Sequence, residues 1–207
     1  GRQLDSVMNY PFRQAIIDFI TGGDGFNFTD SIMNIVENYP KPALDTLMNN
    51  IGTHDTERII TVLGAGKLPE SRAEQSRFIM TDEMTEKGKC LSKLAAVLQF
   101  TLPGIPCVYY GDEASLTGCR DPFNRAAYPW GREDEDLVGF YKKLGALRRK
   151  NSAFAGGDYI PLFSGLGYIV FTREKGGNSV LVAVNRWHEE DRYRLPEEWL
   201  DAQVYMG

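Results

Sequence analysis

The sequence predicts an α/β fold in which parallel β/α units are followed by a small antiparallel β module. Up to about residue 156, short apolar runs alternate with segments of helical periodicity. From Tyr159 onward, short strand-like runs are joined by glycine-containing turns. Strands separated by helices pair in parallel through right-handed crossovers. We therefore predict two parts, residues 1–156 and residues 157–207.

Three strand candidates in the first part are apolar and then turn polar at their carboxyl ends. They are "LDSVMNY", "ALDTLMNNIGTHD" and "IPCVYYGDE". Helical periodicity, with Pro11 at a first helical position and Gly22 as a stop, predicts a helix over 12–20. Further helices are predicted over 30–38, 91–102 and 137–147. In parallel β/α folds, the carboxyl ends of the strands carry the ligand-facing residues.

The second part consists of the strand candidates "YIPLFS", "GYIVFTRE" and "SVLVAVNR". The segments "GLG" and "KGGN" between them are typical of hairpin turns. We predict an antiparallel sheet that is appended to the α/β region.

Composition and charge exclude several classes of protein. The chain has 207 residues, of which 43% are hydrophobic and 25% charged, as is typical of a folded globular protein. A net charge of −5 argues against a nucleic-acid or anionic-membrane partner, and no apolar run is long enough for a membrane span. The three cysteines form no zinc-binding pattern, and Cys90 and Cys107 are predicted to be buried. Because these cysteines show no evident pairing, we expect a cytoplasmic location.

The segment "NNIGTHDTERI" presents His54 and Asp55 where the second strand candidate ends. A structural role is open, with Asp55 starting the following turn. A metal-dependent phosphohydrolase would need more ligands, but the second histidine, His188, lies in the β module. A nucleophilic triad is disfavoured because no G-x-S-x-G elbow occurs and Cys107 lies within a strand candidate. Sugar recognition, with His54 and Asp55 bonding adjacent hydroxyls, is the fourth alternative.

Several motifs together resemble the α-amylase family of glycoside hydrolases, in its neopullulanase, cyclomaltodextrinase and α-glucosidase branch. "NNIGTHDTERI" is similar to the family's seventh barrel strand, "LDSVMNYPFRQAI" to the sixth strand and its helix, and "LPGIPCVYYGDE" to the eighth strand. "CRDPFNRAAYPW" resembles the loop after that strand. The resemblance implies strands six to eight of a (β/α)8 barrel, followed by part of an antiparallel β-sandwich.

The resemblance also implies a retaining mechanism, in which one carboxylate attacks the anomeric carbon and a second protonates the leaving oxygen. Asp55 matches a third carboxylate, which holds ring hydroxyls and favours the oxocarbenium-like transition state, and His54 would bond the same sugar. Arg125 could equally be a structural ion-pair partner, and Glu57 and Glu113 are expected to be local structural groups. The candidates for substrate binding are Asp121, Arg125, Tyr10 and Arg58.

One departure from the family pattern is decisive. The family's nucleophilic Asp and acid Glu belong to the fourth and fifth strands, and neither Asp5 nor Asp24 matches them. We therefore expect a fragment of a larger enzyme, inactive by itself, whose parent acts on maltooligosaccharides, cyclodextrins, starch or pullulan. A transglycosylase of the same family, a non-catalytic carbohydrate-binding relative, and an unrelated β/α module with coincidental motifs are the alternatives.

The expected partner is an α-glucan oligosaccharide. No metal is required by the residues of this sequence, although the resemblance allows calcium in the parent enzyme. Three strands cannot close a barrel, so two sheet edges would keep unpaired backbone groups. We expect either homo-oligomers formed through these edges or a local rearrangement.

Overall fold

The structure is a computed structural model that describes residues 4–187 and 192–206. His188, one of the two histidines considered above, lies outside the described residues. Seven α-helices and five strands occur in the described ranges. Their bounds, in chain order, are α1 Tyr10–Thr21, α2 Gly25–Asn38, α3 Lys41–Thr46, β1 Met48–Asn50, α4 Ile59–Ala65, α5 Arg72–Gln75, α6 Asp82–Thr101, β2 Ile105–Cys107, α7 Glu135–Lys150, β3 Asp158–Ser164, β4 Tyr168–Lys175 and β5 Asn178–Asn185.

The three predicted strand segments of the first part lie side by side in parallel. β1 pairs with β2 so that Met48 lies opposite Ile105. On the other side of β1, Met8 forms a single parallel bridge to Met48. The order of the three segments therefore follows the chain, as the parallel β/α interpretation requires, but the ladders are much shorter than the apolar runs suggested.

Helix α1 confirms the clearest helical prediction. Asn9 caps its amino end by accepting a hydrogen bond from Phe12 N, and Pro11 lies in the first turn. Its apolar face is buried, and Gly22, with a φ of 138°, ends the helix. Asn9 N also donates to Met48 O at 2.9 Å, so the start of α1 is fixed directly on β1.

Helices α2 and α4 differ from the prediction. Helix α2 begins at Gly25, five residues before the predicted start, because Asp24 caps it through Asn27 N at 2.7 Å. Helix α4 was not predicted. Its residues Ile59, Ile60 and Leu63 are all buried, and an all-round apolar helix has no amphipathic pattern to reveal it.

The β module is an antiparallel sheet in the order β3-β4-β5, as predicted. The turn between β4 and β5 consists of Gly176 and Gly177, both with positive φ, which a two-residue hairpin turn of this type requires. Strand β3 lies at an edge and changes register between Pro161 and Phe163, where a proline is tolerated because its missing N–H is not needed.

The larger of two apolar clusters in the described residues passes from the helices into the β module. It includes the buried faces of α1 and α2, parts of α4 and α6, and the inner face of the sheet. Gly25 N donates to Gly165 O at 2.7 Å, and Thr29 Oγ1 lies 2.6 Å from Ser164 Oγ. The division at residues 156 and 157 remains a prediction, because the packing is continuous across it.

The cysteines do not behave as predicted. Cys90 is exposed, Cys107 is half-buried, and Cys119 is buried. The helical repeat of α6 places Cys90 on the exposed face of the helix. The apolar character of the surrounding sequence therefore did not predict its burial. None of the helices in the described part of the chain is long and apolar enough to cross a membrane.

Candidate functional site

His54 and Asp55 lie in the turn that follows β1. Their side chains are 54% and 63% exposed, and His54 Nε2 lies 3.2 Å from Asp55 Oδ2. The turn is fixed by its threonines, since Thr53 Oγ1 accepts from Asp55 N at 3.2 Å and Thr56 Oγ1 accepts from Thr53 N at 3.1 Å. Both side chains therefore face solvent at the carboxyl end of a parallel strand, where a ligand can reach them.

The loop that follows β2 brings Asp121 and Arg125 to the same place. Arg125 Nη2 donates to His54 O at 3.1 Å. Arg125 Nε also forms an ion pair with Asp121 Oδ1, and both side chains are about half exposed. His54, Asp121 and Arg125 thus lie within one small region beside Asp55, although some 70 residues of chain separate His54 from Arg125.

The predicted substrate-binding role of Arg58 does not fit the structure. Its side chain is 0% exposed, so no part of it can touch a ligand in solution. Arg58 Nη1 donates to Tyr110 O and to Asp112 Oδ1, the latter at 3.2 Å, and its guanidinium lies over the rings of Tyr109 and Tyr110. Arg58 is therefore a structural residue beneath the site.

Asn124 is a buried residue that the sequence analysis missed. Its Nδ2 donates to the carbonyl oxygens of Thr53, His54 and Thr56 at 3.3, 2.9 and 2.7 Å. The backbone carbonyl oxygen of Asn124 accepts a hydrogen bond from Arg58 Nε at 2.8 Å. A polar residue in a long loop is normally exposed, so nothing in the sequence indicated this role.

Asp112 completes the buried polar cluster. Burial raises the pKa of Asp112 to about 7, although the nearby charge of Arg58 acts in the opposite direction. The carboxyl group approaches β1 closely because residue 52 is glycine: a Cβ there would lie 2.0 Å from Asp112 Oδ2. The sequence analysis did not identify Asp112 as a site residue.

The other candidates lie around this cluster. Tyr10 is 38% exposed at the start of α1, and its hydroxyl lies 3.9 Å from Met8 Sδ. Glu57 pairs with Arg120 at 2.8 Å. Burial alone would raise the pKa of Glu57, but the hydrogen bond from Arg120, a backbone hydrogen bond and the charges of Arg120 and Arg13 together lower that pKa. Glu113 accepts from Gly111 N at 2.9 Å, which is a local contact, whereas the partner of Glu57 lies 63 residues away in the chain.

A groove of about 1010 Å³ lies elsewhere, between β2 and α7. Val108 and Tyr110 line it on the strand side, and Tyr141 lines it on the helix side. The buried Tyr141 hydroxyl has no hydrogen-bond partner among the described residues, and burial raises the pKa of Tyr141.

Metal binding finds no support in the described residues. They contain no group of three or more His, Cys, Asp and Glu side chains placed to hold a metal ion. The prediction that no metal is needed and the allowance for calcium in the parent enzyme both remain untested.

The fold and the site together define a class of protein. Parallel β/α segments present a His–Asp pair at the carboxyl end of a strand, and a loop from the next strand adds an Asp–Arg pair, which is the arrangement of a barrel-type site. The family model for the alpha amylase catalytic domain matches residues 1–204. The chain belongs to the α-amylase family, and the predicted family and fold class are confirmed.

Individual relatives agree with this assignment. An amylopullulanase from Thermoanaerobacter thermohydrosulfuricus is 39% identical over 185 residues, covering 84% of this chain and 12% of that protein. A cyclomaltodextrinase from Thermoanaerobacter pseudethanolicus is 34% identical over 205 residues, covering 95% of this chain and 31% of that protein. The chain thus spans about a tenth to a third of the length of these relatives.

Solved structures give the same result. A cyclomaltodextrinase structure superposes with a TM-score of 0.72 at 32% identity, covering 88% of this chain and 29% of that one. The cyclic alpha-maltosyl-(1→6)-maltose hydrolase of Arthrobacter globiformis superposes with a TM-score of 0.74 at 26% identity, covering 89% and 38%.

Proposed function

We propose that this chain contributes one side of the sugar-binding cleft of a retaining enzyme that hydrolyses α-glucosidic bonds in maltooligosaccharides, cyclodextrins, starch or pullulan. The observation that carries the proposal is the exposed His54–Asp55 pair at a parallel strand end, joined to Asp121 and Arg125 through the His54 carbonyl. The family membership and the names of the relatives, which include amylopullulanases and cyclomaltodextrinases, support it.

In the proposed mechanism, Asp55 accepts hydrogen bonds from two hydroxyls of one glucose ring, and its charge favours the positively charged, flattened transition state. His54 donates a hydrogen bond to the same ring. Asp121 and Arg125 line the neighbouring wall. Arg125 already pairs with Asp121, so the two alternatives for it, ligand contact and structural partner, are compatible.

The nucleophile and the general acid would come from outside these residues. We therefore propose that the 207-residue chain alone does not hydrolyse glucans, because the covalent step needs its own carboxylate. Incubation with maltoheptaose and measurement of reducing ends should show no release above buffer. Release that persists in Asp55→Asn would contradict the proposed role of Asp55.

Ring recognition can be measured on this chain directly. Titration with maltotriose should shift the imidazole proton resonances of His54 in NMR spectra, whereas cellotriose, with β-linkages, should not. Loss of the maltotriose response in Asp55→Asn would support the proposal. Equal responses to both sugars, or none to either, would refute it.

The full-length protein tests the reaction. We expect reducing-end release from cyclodextrin or pullulan, with Asp55→Asn lowering kcat/KM by on the order of 10³-fold, as for the loss of a transition-state contact to charge. If labelled maltose is instead converted into longer products, the enzyme is a transglycosylase. If neither reaction occurs while maltotriose binds, it is a non-catalytic relative.

Self-association through sheet edges also belongs to this proposal. Ile105 in β2 and Val108 directly after it are 49% and 37% exposed, which supports an apolar surface available for association. Light scattering of the 207-residue chain should show concentration-dependent dimers, whereas a monodisperse monomer at high concentration would refute this part. A cytoplasmic location remains a prediction.

A further inference from the structure

We propose that Asn124 is a positioning residue, which fixes the backbone that carries His54 and Asp55. The inference rests on the proposed function, because the pair it positions is the one assigned to the sugar ring. Asn124 itself is 0% exposed and cannot touch the substrate from its present place.

The Asn124 side chain forms hydrogen bonds to the backbone on both sides of Asp55. Its amide nitrogen lies 3.3 Å from the carbonyl oxygen of Thr53, 2.9 Å from that of His54 and 2.7 Å from that of Thr56. An amide group has two N–H bonds, so the three carbonyls share them. One side chain therefore holds the backbone before and after Asp55, which few single contacts can do.

Asn124 is itself held in place. Arg58 Nε donates to the backbone carbonyl oxygen of Asn124 at 2.8 Å, and the Arg58 guanidinium lies 4.2 Å and 4.6 Å from the ring centres of Tyr109 and Tyr110. Arg58, packed against Tyr109 and Tyr110, thus fixes the position of Asn124, and Asn124 in turn fixes the turn that carries His54 and Asp55. The His54 and Asp55 side chains are more than half exposed, so their placement depends mainly on this backbone support.

Catalysis makes the placement of Asp55 critical. A displacement of about 1 Å of a group that contacts the transition state can cost on the order of 10²-fold in rate. Such a displacement lowers kcat and kcat/KM together, with KM little changed. Loss of stability alone would not produce that pattern in the molecules that remain folded.

The test compares Asn124→Ala with Asn151→Ala in the full-length enzyme. Asn151 is a matched control, because it is 5% exposed and its Nδ2 donates to Leu147 O at 2.9 Å at the end of α7. We expect both variants to lower Tm by similar amounts. Only Asn124→Ala should lower kcat, by on the order of 10²-fold.

A second variant and a second measurement keep the outcome clear. Asn124→Ser, which is smaller and cannot span the three carbonyls, should reproduce the kcat loss. In the 207-residue chain, Asn124→Ala should shift the backbone amide resonances of residues 53–56, and Asn151→Ala should not. Unchanged resonances there, or an unchanged kcat in an active enzyme, would overturn the inference. Shifted resonances in a protein without glucosidase activity would leave the positioning intact and refute the proposed function.

Discussion

Two arginines, both fully buried, show how differently two regions of this molecule are stabilised. Arg173 belongs to β4 and donates to Thr101 O, Gly157 O and Asp158 O at 2.6, 2.8 and 3.2 Å, so each of its nitrogens has a partner. Arg58 lies behind His54 and Asp55, and its buried Nη2 has no hydrogen-bond partner among the described residues. Burial lowers the pKa of Arg173 to about 10, although the group stays protonated at neutral pH.

The difference extends to the surroundings of each arginine. The core around the β module is apolar, with tightly packed aliphatic and aromatic side chains. The strand-end region holds several buried polar atoms that lack partners among the described residues: both amide atoms of Asn50, Arg58 Nη2, Asp112 Oδ2 and Asn124 Oδ1. Native interiors leave few such atoms unpaired, and in the described residues more of them lie near the strand ends than in the β module, where Arg186 Nε is one.

The largest effect is expected in the apolar region. Phe171, 1% exposed in the centre of the sheet, belongs to the continuous core. Phe171→Ala should lower the free energy of unfolding by about 3–5 kcal/mol, measured by urea denaturation. Phe26→Ala, at a 59% exposed position on α2, is the control and should change little. Similar losses for both would mean that the core does not pass through Phe171.

The next effect is a pH dependence that belongs to the polar region. Because the pKa of Asp112 is raised to about 7, the folded state binds more protons than the unfolded state between about pH 4 and pH 7. Stability should therefore fall as pH rises through this window, by at most about 1.4 kcal/mol per pH unit from this group. Asp112→Asn should remove that slope. A wild-type slope of opposite sign would show that pairing with Arg58 outweighs burial.

A smaller effect tests how closely the β module approaches α2. A Cβ at residue 25 would lie 2.5 Å from Gly165 O and 2.6 Å from Ile169 Cγ2. Gly25→Ala should lower the free energy of unfolding by about 1–3 kcal/mol, because backbone must move. Gly139→Ala on α7, where a Cβ meets nothing within 4 Å, should raise it by up to about 1 kcal/mol. Thermal denaturation of both variants separates the effect of the close contact at residue 25 from the effect of helix propensity on stability.

The smallest effect compares two neighbours on β1. Asn49 donates to Pro103 O at 2.7 Å and accepts from Asn9 at 3.0 Å, whereas the Asn50 side-chain amide has no partner within the described part of the chain. Asn50→Leu should raise the free energy of unfolding of this chain by about 1 kcal/mol, and Asn49→Leu should lower it by about 1–2 kcal/mol. Destabilisation by both, in chemical denaturation, would indicate that ordered water satisfies Asn50.

The sequence predicted those parts of the fold whose pattern depends on local periodicity. Helix α1 and the hairpin at Gly176 and Gly177 have caps and turn residues that specify them directly. Helix α4 was missed because burial on every side removes the helical repeat. The β1 and β2 ladders are shorter than predicted, since an apolar run indicates burial rather than the number of hydrogen bonds that a strand makes.

The exposed residues of the candidate site form a recognisable pattern in the sequence, whereas the buried residues beneath them do not. His54, Asp55, Asp121 and Arg125 are charged or polar residues in recognisable motifs. Asn124 and Asp112 act through contacts over 54 to 71 residues of chain, and no spacing in the sequence reports such contacts. Arg58 was named as a substrate-binding candidate, and nothing in the sequence indicated that its side chain is fully buried.

The interlocking of Gly25 with Gly165 has a consequence for recombination among relatives. Cutting this chain at residue 156 would expose the apolar faces of α1 and α2 that pack against the sheet, so the β strands cannot be moved to another protein as an independent unit. Chimeras between family members should fold only when α1 and α2 are exchanged together with the sheet. The unit that must be exchanged is therefore larger than the change of strand pattern suggests.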